Sequence, residues 1–194
     1  MQPITNPSQE KRQEKHPIAK LNGQKTSSNH SNFLRITLII VTDGATAQTA
    51  GIGSTLYVIR DSKPQIAGFF SQLLKPEQST NWFPCEIEGL SIAASVKFFS
   101  ILISQSRHTT QILTDSKPCC EAYQKLCFGE ISTNARLSTF LTTVSRHHVT
   151  ISHLSGAANL PSDFGSRNPV SCSSERCQVC NFVVKLDSIV VRGI

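Results

Sequence analysis

The stretch FLRITLIIVTDG, residues 33–44, constrains the fold most, because it is β-rich and becomes apolar on both faces toward its end. This pattern predicts a central strand of a sheet, covered on both faces. Two more β-type stretches follow, GIGSTLYVIRD and PQIAGFFSQLL. Together the three predict an antiparallel meander. The 194 residues suffice for one domain with a real core plus tails.

Helical and β-type stretches alternate after the meander. A loop is predicted for PEQSTNWF and a long helix for PCEIEGLSIAASVKFFSILIS. A short strand is predicted for TTQILTD, helices for CCEAYQKLCF and NARLSTFLTTVSR, a last strand for HVTISHLSG and a short helix for LPSDFGSR. Helices thus supply the crossovers that parallel strands need, so the predicted class is α/β, an α+β mixed sheet with flanking helices.

Composition separates the ends of the chain from its middle. Residues 1–31 are polar and lack periodicity, which predicts a disordered polar and basic tail. We predict one folded domain over 32–170 and a Cys-containing C-terminal linker over 171–194. Residues 31–164 hold ten Lys or Arg against nine acids, so most of the net charge of +6 lies in the ends. Bulk charge is therefore a weak argument for nucleic-acid binding.

Cysteine usage and hydropathy bear on the compartment. The chain has seven Cys, an odd number, and its polar start lacks an apolar signal segment. The longest apolar runs, near Ile36–Val41 and Phe98–Ile103, are too short to span a membrane. These features predict an intracellular, reduced protein, in the cytoplasm or nucleus, with no membrane partner.

Four acids stand at the predicted ends of strands or starts of helices: Asp43, Glu88, Asp115 and Asp163. If strands one and four are parallel neighbours, Asp43 and Asp115 lie side by side at their carboxyl ends, where α/β sheets bind ligands. Carboxylates at such a short distance from one another need cations, and hard oxygen ligands suit Mg²⁺. Two Mg²⁺ about 4 Å apart can activate a water and stabilise a leaving oxygen in phosphodiester cleavage.

Each of these acids also has a purely structural explanation. Asp115, before Ser116, could cap a helix, and Asp43 with Gly44 could form a turn. Negative charge is favourable in the first turn of a helix, where Glu88 and Asp163 stand. Composition and spacing alone leave this choice open.

Four longer motifs occur in a fixed order: TDGATAQTAGIGSTLYV, CEIEGLSIAASVKFF, ILTDSKP and HLSGAANLPSDFGSR. This ordered set resembles the ribonuclease H domain of the reverse transcriptase polyprotein in long-terminal-repeat retrotransposons of gypsy or BEL/Pao type. The resemblance extends from Phe33 to Asn168. Its most specific element is the run N-x-x-x-D-x-x-S-R, from Asn159 to Arg167.

The resemblance implies a ribonuclease H-like fold with a five-stranded mixed sheet. It also implies a metal-dependent endonuclease that hydrolyses the RNA strand of RNA–DNA hybrids. The catalytic, metal-holding residues would be Asp43, Glu88, Asp115 and Asp163, with two Mg²⁺ that Mn²⁺ can replace. Glu86 matches a family glutamate that is not a ligand. The implied partners are the hybrid and, in cis, the polymerase domain of the parent element.

His153 is a candidate auxiliary residue, because it precedes Asp163 by ten residues. Cellular ribonucleases H carry a loop histidine at that spacing that helps product release. In retrotransposon versions the same place is often the end of the last strand, and the sequence leaves both interpretations open.

Three competing interpretations remain at this point. The chain lacks recognisable polymerase and integrase segments, so we expect a fragment of an element or a captured copy. Such a copy could be catalytically decayed and act only as a nucleic-acid or protein binding module. A transposase or integrase would need a further acid well after Asp115, near Ile151, where none stands.

A cysteine cluster follows the motifs. Cys172, Cys177 and Cys180 form a C-x₄-C-x₂-C pattern. The spacing is compatible with part of a zinc site, but no fourth ligand follows it. The sequence favours the alternative, a reduced linker.

Overall fold

The structure is a computed structural model that describes residues 37–46, 50–130, 132–172, 174–182 and 184–185. The tail predicted for 1–31 and the predicted start of order near Phe33 lie outside the described residues.

A five-stranded sheet with the order β3-β2-β1-β4-β5 forms the centre of the fold. Its strands are β1 (Thr37–Ala45), β2 (Gly51–Arg60), β3 (Lys63–Leu73), β4 (Thr110–Thr114) and β5 (Val149–His153). The first three strands pair antiparallel, whereas β4 pairs parallel with both β1 and β5. The predicted mixed sheet, its meander and the parallel pairing of the first and fourth strands are confirmed.

Helices flank the sheet. They are α1 (Pro76–Asn81), α2 (Pro84–Phe98), α3 (Ser100–Gln105), α4 (Lys117–Cys127), α5 (Ala135–Val144) and α6 (Leu160–Arg167), with a 3₁₀ turn at Gly156–Ala158 before α6. α2 packs on β1 and on α5, whereas α6 packs on β2 and β1. Among the described residues, none of these helices is long and apolar enough to cross a membrane.

The predicted loop PEQSTNWF is wrong in part, because its first six residues form α1. Pro76 stands at the first helical position, where its missing N–H costs nothing. The side chain of Gln78 accepts a hydrogen bond from the Lys75 amide at 3.1 Å, which satisfies a donor at the helix start. A six-residue helix is too short to leave a periodic apolar pattern in the sequence.

The single long helix predicted from Pro84 is also wrong in part, because the chain turns at Phe99 between α2 and α3. The rings of Phe98 and Phe99 meet edge to face at 4.9 Å, and Phe99 is buried. After the turn Ile103 enters the core, whereas Ile101 is exposed.

Both faces of the sheet are covered by apolar side chains. The larger cluster holds Ile40, Ile52 and Ile112 together with side chains of α2, α4 and α5. The smaller one lies on the opposite face and is formed by Ile39, Val41, Tyr57, Ile59, Leu113 and Leu154. The alternation between neighbours such as Ile39 and Ile40 follows from the two-residue period of a strand.

The segment after α6 contacts the domain. Residues 178–182 are helical, and Val179 is only 6% exposed and belongs to the larger core cluster. The boundary predicted between a domain ending at residue 170 and a linker beginning at 171 stays a prediction.

Candidate active site

Three carboxylates meet at the carboxyl ends of β1 and β4. Asp43 lies two residues before the end of β1, Asp115 directly follows β4, and Glu88 is the fifth residue of α2. One carboxylate oxygen of each lies within 4.8 Å of those of the other two. We call these residues the carboxylate trio.

The register of the parallel strands accounts for the position of the two aspartates. Val41 of β1 is paired with Leu113 of β4. Two residues further along each strand come Asp43 and Asp115, so both side chains leave the sheet on the same face. Ser116, not Asp115, is the N-cap of α4, so capping does not explain Asp115.

Glu88 reaches the two aspartates because α2 approaches β1 closely at Gly44. A Cβ at Gly44 would lie 3.0 Å from Ile87 Cγ2 and 3.1 Å from the Glu88 amide nitrogen, so a side chain there would push the helix away. The Gly44 amide and the Thr114 side chain partly oppose the rise of the Glu88 pKa. The close approach of α2 thereby brings the glutamate to the ends of β1 and β4.

Asp43 is held by two residues of the α6 region. Asn159 Nδ2 donates to Asp43 Oδ1 at 3.2 Å and to the Thr42 carbonyl at 3.1 Å. The Ser166 hydroxyl donates to Asp43 Oδ2. Both side chains are buried, so each bond is made away from solvent.

Sequence reasoning missed the role of Asn159 and Ser166, although both stand in the run N-x-x-x-D-x-x-S-R. Their separation of seven residues, two helical turns, places them on one face and could have revealed their shared target. A Cβ at Gly53 of β2 would lie 2.6 Å from the Ser166 amide nitrogen. The absence of a side chain at Gly53 therefore lets α6 lie directly on the sheet.

Burial and mutual repulsion dominate the electrostatics of the trio. Burial, followed by the charges of Asp43 and Asp115, raises the pKa of Glu88 to about 9. Burial also raises the pKa of Asp43, and the hydrogen bond from Ser166 opposes that shift. Without a cation, Glu88 therefore keeps its proton at neutral pH.

The trio fits a divalent cation. Oε2 of Glu88 is buried and has no hydrogen-bond partner within the described part of the chain. A buried oxygen without a partner is costly, and so is a cluster of like charges. A hard cation bound by carboxylate oxygens would relieve both costs, and Mg²⁺ prefers such ligands.

Asp163, the fourth predicted ligand, is not part of the trio. Its Oδ1 accepts a bond of 2.7 Å from Arg167 Nε, and its side chain is 36% exposed. α6 turns Ser162 and Ser166 toward the sheet, so Asp163, one position after Ser162, points to the side of the helix. The charge of Asp163 still contributes to the raised pKa of Asp43, so the residue lies near the site.

His153 is the last residue of β5 and is exposed. It pairs with Thr114, the residue before Asp115, but it is not grouped with the trio. Its position corresponds to the end of the last strand, one of the two placements that the sequence left open.

Glu86 has a different environment from Glu88. Its oxygens accept bonds from the Phe83 amide at 2.8 Å, from Asn134 Nδ2 at 3.1 Å and from Arg136 Nη1 at 3.0 Å. It is 4% exposed and does not belong to the trio. Its contacts tie the start of α2 to the start of α5.

The cysteine cluster forms a second group of metal-ligand type. The sulfurs of Cys172, Cys177 and Cys180 lie within 4.8 Å of one another. No fourth His, Cys, Asp or Glu joins them among the described residues.

The comparison with known proteins shows the fold of the chain but no protein family to which it belongs. No protein-family model matches the chain, and no curated protein matches it by sequence. Among solved structures, the chain is similar to LC11-RNase H1 in complex with an RNA/DNA hybrid, with a TM-score of 0.53 and 12% identity, over 69% of this chain and 96% of that one.

Two further structures are similar at the same level. The N-terminal RNase H domain of a Mycobacterium tuberculosis protein gives a TM-score of 0.52 at 16% identity, over 69% of this chain and 92% of that one. RNase H1 of Halobacterium salinarum gives 0.51 at 11% identity, over 68% of this chain and 96% of that one. The chain therefore has the ribonuclease H-like fold.

Proposed function

We propose that the chain is a metal-dependent endonuclease that hydrolyses the RNA strand of RNA–DNA hybrids. The observation that carries the proposal is the carboxylate trio, three acids from separate elements whose oxygens meet within 4.8 Å at the carboxyl ends of parallel strands. Stability alone does not account for it, because like charges in a buried site repel and Glu88 Oε2 has no partner in the described residues.

In this proposal Asp43, Glu88 and Asp115 hold Mg²⁺, two ions in the complete site, which Mn²⁺ can replace. When bound, the metal supplies an activated water and stabilises the charge of the leaving oxygen. Glu88 would hold the cation in its deprotonated form. Asn159 and Ser166 hold Asp43 in place, so that both of its oxygens keep a fixed direction. Asp163 is the fourth candidate ligand of this proposal, and its Oδ1 is bonded to Arg167.

The partner in this proposal is an RNA–DNA hybrid. The 2′-hydroxyl groups of RNA, displayed in the wide minor groove, let a protein distinguish RNA from DNA. LC11-RNase H1, to which the chain is similar in fold, is described in complex with such a hybrid. His153, exposed at the end of β5, is retained in the proposal as an auxiliary group for product release.

We also propose that the domain derives from a reverse transcriptase polyprotein of a long-terminal-repeat retrotransposon. The support is the ordered motif set of the sequence, in which the run Asn159–Arg167 is the most specific. The polymerase domain of the parent element would act in cis, and the protein would work inside the cell, in the cytoplasm or nucleus.

The test uses the purified chain with labelled RNA–DNA hybrid, DNA duplex and RNA duplex, each with Mg²⁺ and with a chelator. The proposal predicts cleavage of the RNA strand of the hybrid alone, dependent on Mg²⁺, leaving 5′-phosphate and 3′-hydroxyl ends. A folded protein that binds the hybrid but does not cut it would overturn the enzymatic proposal and leave the binding module as the function. Equal cutting of the DNA duplex would overturn the proposed specificity.

A further inference from the structure

The thiols of Cys172, Cys177 and Cys180 form a preassembled cluster outside the carboxylate trio. All three are free, and their sulfurs lie within 4.8 Å of one another. Sulfurs bound tetrahedrally to zinc at about 2.3 Å are roughly 3.8 Å apart. Each sulfur pair therefore needs to close by no more than about 1 Å to fit one ion.

The backbone between the cysteines forms a turn and directs one N–H group at the Cys177 sulfur. The Cys177 amide donates to the Ser174 carbonyl at 3.1 Å and closes the turn before it. The Cys180 amide donates to Cys177 Sγ at 3.5 Å, and the Asn181 amide donates to the Cys177 carbonyl at 3.0 Å. A backbone N–H directed at sulfur favours a thiolate at Cys177.

The segment that carries the three cysteines packs against the core. Val179, between the second and third cysteines, belongs to the larger core cluster, and Cys177 and Phe182 pack against that cluster. Phe182 also lines a groove with Thr139 and Thr142 of α5. An ion at the three sulfurs would therefore hold together the segment after α6, whose apolar side chains pack against the domain.

Without a cation, the three thiolates would repel one another, because their sulfurs lie within 4.8 Å of one another. A cation that binds all three compensates these charges. Thiolates are soft ligands and select ions such as Zn²⁺ over Mg²⁺.

We propose that Cys172, Cys177 and Cys180 bind one thiophilic d¹⁰ cation, Zn²⁺ in the first place, as a structural site separate from the carboxylate trio. The three protein ligands are thiolates, and water takes the fourth position. Binding exchanges the thiol protons for the metal, and no oxidant or reductant is involved.

The direct test is titration of the reduced, metal-free full chain with Co²⁺, followed by displacement with Zn²⁺. We expect a thiolate-to-cobalt charge-transfer band that saturates at one ion per chain and disappears when Zn²⁺ is added. The variant Cys172→Ser/Cys177→Ser/Cys180→Ser should lose the band. The matched control is Cys127→Ser, which removes an exposed thiol of α4 and should keep it.

Thiol protection gives a second readout that depends neither on hybrid cleavage nor on the trio. At a Zn²⁺ concentration about 100 times the Kd, only about one chain in 100 is metal-free, so alkylation of the three cysteines should slow by about that factor. Asp115→Asn should show the same protection as the parent, which separates failure of this site from failure of the proposed nuclease.

Three results would overturn the proposal. One is the absence of a thiolate band although a thiol titration finds all seven cysteines reduced. Another is a band that persists in the triple serine variant, which would place the ion elsewhere. The third is a disulfide within the cluster that withstands reduction under conditions that keep the fold.

Discussion

Two glutamates of α2, only two residues apart, have opposite environments. Glu86 accepts bonds from the Phe83 amide, Asn134 and Arg136, and the Arg136 guanidinium also lies 4.6 Å from the ring centroid of Trp82. Glu88 faces two other carboxylates, and its Oε2 has no partner within the described residues.

This difference separates a stabilising carboxylate from the one that the proposed metal site uses. Glu86 is paired with a cation of the protein itself, so removing it leaves the half-buried Arg136 without that counter-charge. Among the described residues Glu88 has no ion-pair partner, so in the proposed function a cation from outside completes its environment. Sequence position cannot make this distinction, since both residues lie near the start of the same helix.

The largest expected effect is on the activity of Glu88→Gln. Glutamine keeps the shape but removes the charge that the metal needs, so Mg²⁺-dependent hybrid cleavage should fall at least about 100-fold, equivalent to roughly 2.7 kcal/mol. Because the raised pKa of Glu88 destabilises the folded parent at neutral pH and glutamine carries no such penalty, the melting temperature of the metal-free variant should be higher than that of the parent. Cleavage at the parental rate would show that Glu88 is as structural as Glu86.

The second effect is on the stability of Glu86→Ala. Loss of the buried partner of this half-buried ion pair should lower the free energy of unfolding by about 2 kcal/mol, measured by urea denaturation. Glu121→Ala, an exposed glutamate of α4, is the control and should change it by about 0.5 kcal/mol or less. Cleavage per folded molecule should stay near the parental value in both. A folded Glu86→Ala protein with the parental free energy of unfolding would contradict the stabilising role of Glu86.

The third prediction concerns pH, in chelator and without Mg²⁺. The pKa of Glu88 is raised from 4.5 to about 9 in the fold, so the folded state holds a proton that the unfolded state has lost between these values. Stability should therefore fall as pH rises through this window, with a slope of up to about 1.4 kcal/mol per pH unit from this group. The curve for Glu88→Gln should be flatter than that of the parent, and identical curves would contradict the raised pKa.

The smallest effect expected is that of Ser166→Ala. This change removes one hydrogen bond to Asp43, a bond worth about 1 kcal/mol, so cleavage should fall about fivefold. The same bond lowers the pKa of Asp43, so the pH–rate profile should also move to higher pH. Ser104→Ala, an exposed serine of α3, should do neither. A slower reaction without a shifted profile would point to a packing role for Ser166.

Much of the fold was predictable because strong local patterns determine it. The spacing of apolar residues and the turn or helix-start residues at the ends of each stretch predict three elements. These are the apolar strand with Asp43 near its end, the short strand followed by Asp115 and the helix Leu160–Arg167. Parallel pairing of the first and fourth strands then predicts that two of the acids lie close together. The turn at Phe99 accompanies long-range packing, the contact of the Phe98 ring with Phe70 and the burial of Phe99, which no local pattern specifies.

Three of the four predicted acids lie together, but the residues that hold Asp43 were not predicted. The direction of Asp163 depends on which face of α6 meets the sheet, and its Oδ1 is bonded to Arg167 in a local i,i+4 pair. The approach of the three cysteine sulfurs could not be predicted from spacing, because the packing of residues 174–182 against the core is a long-range effect.

The most direct test of the account is hybrid cleavage by the parent and by Asp115→Asn, measured with and without Mg²⁺ alongside thermal melts in chelator. Asparagine preserves the shape and removes one negative charge from the trio, so the melting temperature without metal should hold or rise. Mg²⁺-dependent cleavage should fall at least about 100-fold. A parent that cuts the hybrid and a variant that cuts it equally well would contradict the claim that Asp43, Glu88 and Asp115 form a metal site.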